Sequence, residues 1–343
     1  MAVLVARLAR RGVVELVGPD GAALLQGVVT NDVRQLAVGA AQACAFLNPK
    51  GRMVAEAILH RTDTERILVD TDAAIAPRIA KLLQTAKLRK KVDIADASQR
   101  VAVWAAFGAD NHNDALKLAV AAATENNNAP LSAVSDPRWS RLGARILTHA
   151  NADALRLGTA GPGLLAQKEE AYERWRMLCG IPQGLEVDGA IPLELNQDAL
   201  HAVSFNKGCY TGQELTARTH FQGLVRKRIV PMLVGTPTTT RSNSDIDDAE
   251  AQLIGRDAAN LPPFTHQQLP TNVLRHGDNE PAGKILAVAR NSGIALALMR
   301  TDNADTDTWT TQNAFRLDDD TPVKAAPWPS YWNHIKDKDS SQK

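Results

Sequence analysis

Apolar and polar positions along the chain change period several times, and the changes mark out its elements. Residues 12–17 alternate as a strand, and Pro19-Asp20-Gly21 turns into a short helix running to Gln26, with Asp20 placed to cap it. Thr30-Asn31-Asp32 ends that helix in polar groups suited to bonding either backbone or ligand. Residues 53–59 and 66–69 read as strands joined by a Thr-Asp-Thr turn. Ile75, Ile79, Leu82, Leu83 and Ala86 then fall at helical spacing over 73–88. Residues 92–94 and 101–107 return to strand, and 115–123 to helix. This ββα, strand, α order predicts an α+β fold with a ferredoxin-like module.

Punctuation at 126–130 and at Asp136-Pro137 separates that module from a helix at 167–179. Ala171, Tyr172, Trp175, Leu178 and Cys179 share one face of this helix, where Cys179 reads as a small core residue. Gly180-Ile181-Pro182-Gln183-Gly184 stops it. Beyond the strand at 229–234, the polar run 236–250 reads as a long loop, and 303–308 as a second, acidic one. Residues 283–289 and 293–299 form a hairpin of a C-terminal β-domain. The aromatic stretch 327–332 reads as a tail packed on its own barrel, and the chain frays from Lys336.

A length of 343 residues predicts two or three domains. The formal net charge of +1 argues against a general nucleic-acid or membrane binder, and no apolar run is long enough to span a bilayer. Three cysteines, Cys44, Cys179 and Cys209, with no C-x-x-C pair, suit a reducing compartment and make a self-contained zinc site improbable. Arg7, Arg10 and Arg11 without an acid give the N-terminus a faint organelle-targeting character, or simply the basic start of the fold.

The chemistry concentrates in Phe205-Asn206-Lys207-Gly208-Cys209-Tyr210-Thr211-Gly212-Gln213-Glu214, followed by Arg218, His220 and Arg226-Lys227-Arg228. One thiol stands near two glycines among cations. Glycine permits positive φ or close approach, and nearby cations favour the thiolate, the form that binds metals.

Residues 207–214 resemble the signature of the YgfZ-type folate-binding proteins, which are iron–sulfur cluster assembly factors related to the aminomethyltransferase T-protein of glycine cleavage. The continuation Leu215-Thr216-Ala217-Arg218-Thr219-His220, with Gly223 and Arg226-Lys227-Arg228, is closer to the mitochondrial branch. Thr30-Asn31-Asp32, Lys50-Gly51-Arg52, Arg89-Lys90-Lys91-Val92, Trp175-Arg176 and Ile191-Pro192-Leu193-Glu194 add matches in order. The resemblance implies a three-domain ring. Residues 1–50 with 136–227 would form a folate-binding α+β domain, 51–135 the ferredoxin-like domain, and 228–343 a C-terminal β-barrel and tail.

It also implies maturation of [4Fe-4S] proteins in the mitochondrial matrix, alongside A-type cluster carriers. Client enzymes would include aconitase and radical-SAM proteins, with no nucleic acid involved. Cys209 would contact a cluster shared with a partner, since one cysteine cannot supply the usual four ligands. Lys207, Gly208, Tyr210, Gly212, Gln213, Arg218 and His220 would support the thiol. Tetrahydrofolate is the implied cofactor, with Asn31, Glu194, Arg226 and Arg228 as its residues. Glu194 reads equally as a cap or an ion-pair partner of Arg218.

Glu56 stands where T-proteins carry a catalytic Asp. It is one methylene longer, so it is the candidate catalytic residue of an alternative folate-dependent aminomethyl transferase, or else a solvent-facing strand residue. A cysteine hydrolase pairing Cys209 with His220 ranks lowest, for want of a nucleophile elbow.

Overall fold

The computed structural model describes residues 3–108, 116–118, 120, 129–150, 164–234, 269–275, 279–290, 292–300, 315–318 and 321–325. It divides into two compact units. The first comprises Met1–Tyr172, Gln183–Leu193 and Gln197–Gly223; the second comprises Glu173–Pro182, Glu194–Asn196 and Leu224–Lys343.

The first unit holds two five-stranded sheets. With strands numbered in chain order, sheet one runs β3 (Ala41–Leu47), β4 (Met53–Arg61), β5 (Arg66–Asp72), β2 (Arg11–Val17) and β6 (Asp93–Asp96), all antiparallel. Sheet two runs β10 (Leu164–Gln167), β1 (Val3–Arg7), β7 (Val101–Phe107), β9 (Ala144–His149) and β8 (Ser132–Ser135), with only the β1–β10 pair parallel. The strand material after the helix therefore splits, β6 joining sheet one and β7 sheet two.

Successive side chains on a strand point to opposite faces. Val14 and Leu16 of β2, Ala55, Ala57 and Leu59 of β4, and Ile67 and Val69 of β5 share a core with α1 (Gly21–Gln26) and α2 (Ala76–Lys87). The intervening residues, Arg11, Val13, Glu56, Ile58, His60, Leu68 and Asp70, are also buried. On sheet two, Ala102, Trp104, Ala106, Ala144 and Ile146 form a separate apolar cluster, which leaves Arg145 and Leu147 on the opposite face of β9. Arg145 contacts Asp70 of sheet one, so the charged residues lie inside a sheet-on-sheet sandwich.

The expected elements at 12–17, 53–59, 66–69 and 101–107 are strands, and the 73–88 and 167–179 helices are α2 and α3 (Glu169–Leu178). Asp20 does precede α1, but its carboxylate accepts from the Lys91 amide at 2.7 Å instead of capping that helix. Of the helix expected at 115–123, residues 116–118 and 120 are helical, and the others lie outside the described residues. So do the loops at 236–250 and 303–308, the aromatic stretch 327–332 and the tail from Lys336.

In the second unit, β11 (Lys227–Val234), β12 (Thr271–Arg275), β13 (Pro281–Val288), β14 (Ile294–Arg300), β15 (Phe315–Leu317) and β16 (Pro322–Ala325) pair in the order β11-β14-β13-β12-β15-β16. The β11–β16 pairing closes the barrel, around a core that includes Val230, Met232, Ile285, Ala297 and Met299. The expected hairpin at 283–299 is the β13–β14 pair.

Candidate functional site

The cysteine loop of the first unit is braced from below by separated parts of the chain. Lys207 does most of the bracing: its ammonium donates to the carbonyls of Gln26 (2.9 Å), Val29 (2.7 Å) and Asn31 (2.6 Å). It also stands 4.9 Å from the centre of the Tyr210 ring. Burial pushes this ammonium down to about 8, although three carbonyl oxygens partly replace its water. The Thr211 amide reaches Gly27 O at 3.1 Å, and the Ser204 amide reaches Thr30 O at 3.1 Å.

Thr30-Asn31-Asp32 completes the frame. Thr30 Oγ1 donates to Ala202 O at 2.6 Å and accepts from Ala45 N at 2.8 Å. The Asn31 amide donates to Ala43 O (2.8 Å) and His201 O (2.7 Å), so both of its hydrogens are used within the protein. Asp32 accepts from the side chain of Arg34, whose hydrogen bonds outweigh burial and hold this carboxyl well below the usual range. Within the protein, Thr30 and Asn31 therefore bond the backbone and Asp32 bonds Arg34.

Lys50-Gly51-Arg52 also comes here. Gly51 and Gly212 both have positive φ, +78° and +76°. A Cβ on Gly212 would lie 2.4 Å from Asn48 O and 3.1 Å from Gly51 Cα, and one on Gly51 would lie 2.6 Å from Leu215 Cβ. Two turns thus touch where neither tolerates a side chain. Gly212 precedes α4 (Gln213–Gln222), and Gln213 Oε1 accepts from the Tyr210 amide at 3.0 Å, folding the loop back on the helix start. Gly212→Ala is expected to cost at least about 2 kcal/mol through clash and left-handed strain, read as a lowered thermal midpoint.

Above this frame Cys209 is exposed, whereas Cys44 and Cys179 are buried. Burial raises the Cys44 thiol far above its ordinary value, which keeps it protonated and inert. Gly208 and Arg218 are exposed beside and below Cys209 in sequence. His220 stacks on Phe205, ring centres 3.6 Å apart and planes within 10°.

Three of the expected folate residues, Glu194, Arg226 and Arg228, belong to the second unit. Glu194 is half-buried in a one-turn 3-10 helix, Pro192–Leu195. Arg226 is exposed and Arg228 is buried near the start of β11.

Glu56 faces the interior of the sandwich and is 4% exposed, which removes the solvent-facing reading. Its Oε1 accepts from Arg11 and, at 3.4 Å, from the Gly184 amide; its Oε2 is buried with no hydrogen-bond partner among the described residues. Arg11 also binds Asp70 at 2.6 Å, and Arg145 lies 3.6 Å from Asp70 and 3.5 Å from Asp136. Arg138 pairs with Asp136 at 2.7 Å, and the hydroxyl of Tyr172 accepts from both Arg138 (3.0 Å) and Arg145 (2.9 Å). Three guanidinium groups thereby face three carboxyl groups inside one sandwich. Burial alone would raise the Asp136 carboxyl, but Arg138 and Arg145 bring it down to about 2.

Sequence reading singled out Glu56 but missed Arg11, Asp70, Asp136, Arg138 and Arg145. The available signal was an acid closing the apolar run Ile67-Leu68-Val69-Asp70.

His60 sits in the same interior, its Nδ1 2.8 Å from Ser132 Oγ, with Asp70, Asp136, Arg145 and Arg11 acting on it. Burial pushes it down to about 4. Protonation therefore favours the unfolded chain between pH 6.5 and 4, so this stability is complete above about pH 6.5 and lost as pH falls. The urea midpoint should drop between pH 7 and 5 by the equivalent of about 2 kcal/mol, and His60→Gln should flatten that drop. An equal drop in the variant would assign it to other groups.

The described residues hold no helix long and apolar enough to cross a membrane and no cluster of three or more His, Cys, Asp or Glu suited to a metal ion. Residues 2–149 match the model of the GCVT N-terminal domain family. Glycine cleavage system aminomethyltransferase T from Bartonella henselae superposes with a TM-score of 0.63 at 11% identity, covering 96% of this chain and 86% of that one. The chain therefore has the aminomethyltransferase T fold.

Sequence relatives narrow this further. The mitochondrial iron-sulfur cluster assembly factor IBA57 homolog of Mycosarcoma maydis is 32% identical over 98% of this chain and 87% of its own. Homo sapiens mitochondrial IBA57 is 32% identical over 73% of this chain and 72% of its own. The chain belongs to the IBA57 family of iron-sulfur cluster assembly factors.

Proposed function

We propose that this protein matures [4Fe-4S] enzymes in the mitochondrial matrix, acting with A-type cluster carriers, and that Cys209 contacts a cluster shared with the carrier. The observation that carries this reading is the contrast among the three cysteines: two are buried, and the third is exposed on a loop held by Lys207, Thr30 and Gln213. A single protein thiol cannot hold a cluster alone, so the remaining ligands belong to the partner. The cluster is cargo here. Cys209 binds iron as the thiolate, giving up its proton to solvent, and Arg218 adds positive charge on the following helix.

Tetrahydrofolate is the ligand that the fold's relatives suggest. Glu194, Arg226 and Arg228 are the residues that would meet it, an acid for the pterin edge and cations for the glutamate tail. Asn31 fits less well, because its amide hydrogens already bond Ala43 and His201. Aminomethyl transfer is the weaker reading, since Glu56 is bound to Arg11 and the Gly184 amide.

The test is aconitase activity in cells depleted of the protein, with rescue by wild type and by Cys209→Ala. Rescue by wild type alone supports the thiol role. Rescue by both moves the function to the folate residues around Glu194, and an undiminished aconitase activity on depletion contradicts the assembly role.

A further inference from the structure

Between α2 and β6 the backbone takes a shape suited to glycine, and a leucine occupies it. The Lys90 amide bonds Lys87 O at 2.9 Å, so Leu88 and Arg89 are the central pair of a tight turn. Leu88 has φ +49° and ψ −114°, the first corner of a type II′ turn, whose ideal lies at about +60° and −120°. Glycine is the residue that takes this corner without strain. Leu88 is also 85% exposed, more than any other large apolar side chain among the described residues. The fold gains nothing from this side chain: glycine would relieve the backbone, and a polar residue would suit the water.

The turn is fixed from behind. The Lys91 amide donates to Asp20 Oδ2 at 2.7 Å, and Lys91 O accepts from the Asp20 amide at 3.3 Å. A Cβ on Gly18 would lie 2.5 Å from Lys91 O, and Val92 is buried in the core beneath sheet one. On the same stretch before α1, Val17 and Pro19 are exposed. Cations follow the leucine directly. Arg89 and Lys91 are exposed and Lys90 is half-buried, and none of the three has an ion-pair partner among the described residues. Two acids at the turn have partners: Asp93 pairs with Lys87 at 3.8 Å, and Asp20 takes the Lys91 amide. Glu65, whose carbonyl accepts from the Gly18 amide, is a further exposed acid.

We propose that Leu88 and the cations Arg89, Lys90 and Lys91 form a docking tip for the surface of an anionic lipid bilayer. A folded protein partner suits this tip less well, because a standard interface buries about 800 Å² on each side over a broad complementary patch. Here one aliphatic side chain protrudes from a two-residue turn, with three cations on the residues that follow it. Such a tip matches an acyl layer beneath a phosphate layer: the leucine enters the first and the cations meet the second. The net charge of +1 gives no long-range pull toward membranes, so the attachment is local and reversible. The tip and the cysteine loop are held at opposite ends of α1. Asp20 precedes this helix and binds Lys91, whereas Gln26 and Gly27 end it and bind Lys207 and Thr211. Docking on the bilayer therefore leaves Cys209 outside the contact and does not depend on the assembly reading.

Co-sedimentation of the full chain with vesicles tests this, using phosphatidylcholine alone and phosphatidylcholine mixed with phosphatidylglycerol. Wild type should sediment with the anionic vesicles and not with the neutral ones, and should be released as salt rises from about 50 to 300 mM. Leu88→Gly should weaken partitioning by about fivefold or more. Its thermal midpoint should stay close to that of wild type, because glycine suits the turn and the lost side chain touches solvent. Arg89→Gln combined with Lys91→Gln should weaken partitioning as well and flatten its salt dependence. A wild type that ignores anionic vesicles overturns the proposal, and its retention on polyglutamate would then assign the turn to an acidic protein surface. Equal binding to neutral vesicles overturns it too, as does wild-type partitioning of Leu88→Gly.

Discussion

Arg145→Met is expected to destabilise the protein by about 3–5 kcal/mol, the cost of removing one member of a buried charge network. Arg145 is fully buried and lies between two carboxyl groups, Asp70 and Asp136, which also draw on Arg11 and Arg138. Methionine fills much of the volume but leaves three carboxyl groups facing two cations. Total stabilities of folded domains run to about 5–15 kcal/mol, so this loss takes a large share. Urea denaturation followed by circular dichroism at pH 7 would show it as a lower midpoint. Adding Asp70→Asn to Arg145→Met should cost less than the sum of the two single changes, because it restores the balance of charge. Additive losses would show that the two side chains do not act on each other.

Cys209→Ala is expected to do the opposite: leave stability unchanged and abolish the maturation of clients. The side chain is exposed, and the loop is held by the Lys207 ammonium, the Thr211 amide and the Gln213 carboxamide. None of these bonds involves the thiol. Surface substitutions away from such features usually change stability by less than about 0.5 kcal/mol. The two variants therefore separate what holds the fold from what the fold presents.

The cysteine loop was legible in the sequence because its chemistry is local. A thiol, two glycines and two cations fall within 207–218. What the sequence hid was the division of labour inside that stretch. Lys207 reads as a cation for the thiolate, but its ammonium is spent on three carbonyls, and acceptors on the backbone leave no signature in residue type. Gly208 and Gly212 look alike in sequence, and it is the positive φ of Gly212 and its contact with Asn48 and Gly51 that tell them apart.

The sandwich interior was hidden for a different reason. Polar residues alternating with apolar ones predict a strand with one wet face, and Glu56 was open to that reading. Here the face is covered by a second sheet, whose Arg145 supplies the charge that makes burial tolerable. Asp70 and Arg145 are far apart in the chain, so no periodicity links them. The splitting of β6 and β7 between two sheets is likewise a matter of long-range pairing, while their existence as strands follows from local pattern.

Visible circular dichroism of the cluster-loaded A-type carrier, titrated with wild type and with Cys209→Ala, tests the central claim most directly. Wild type should change the cluster's spectrum as one thiolate ligand is exchanged, while Cys209→Ala binds the carrier and leaves the spectrum as it was. The same spectral change with Cys209→Ala would contradict the account.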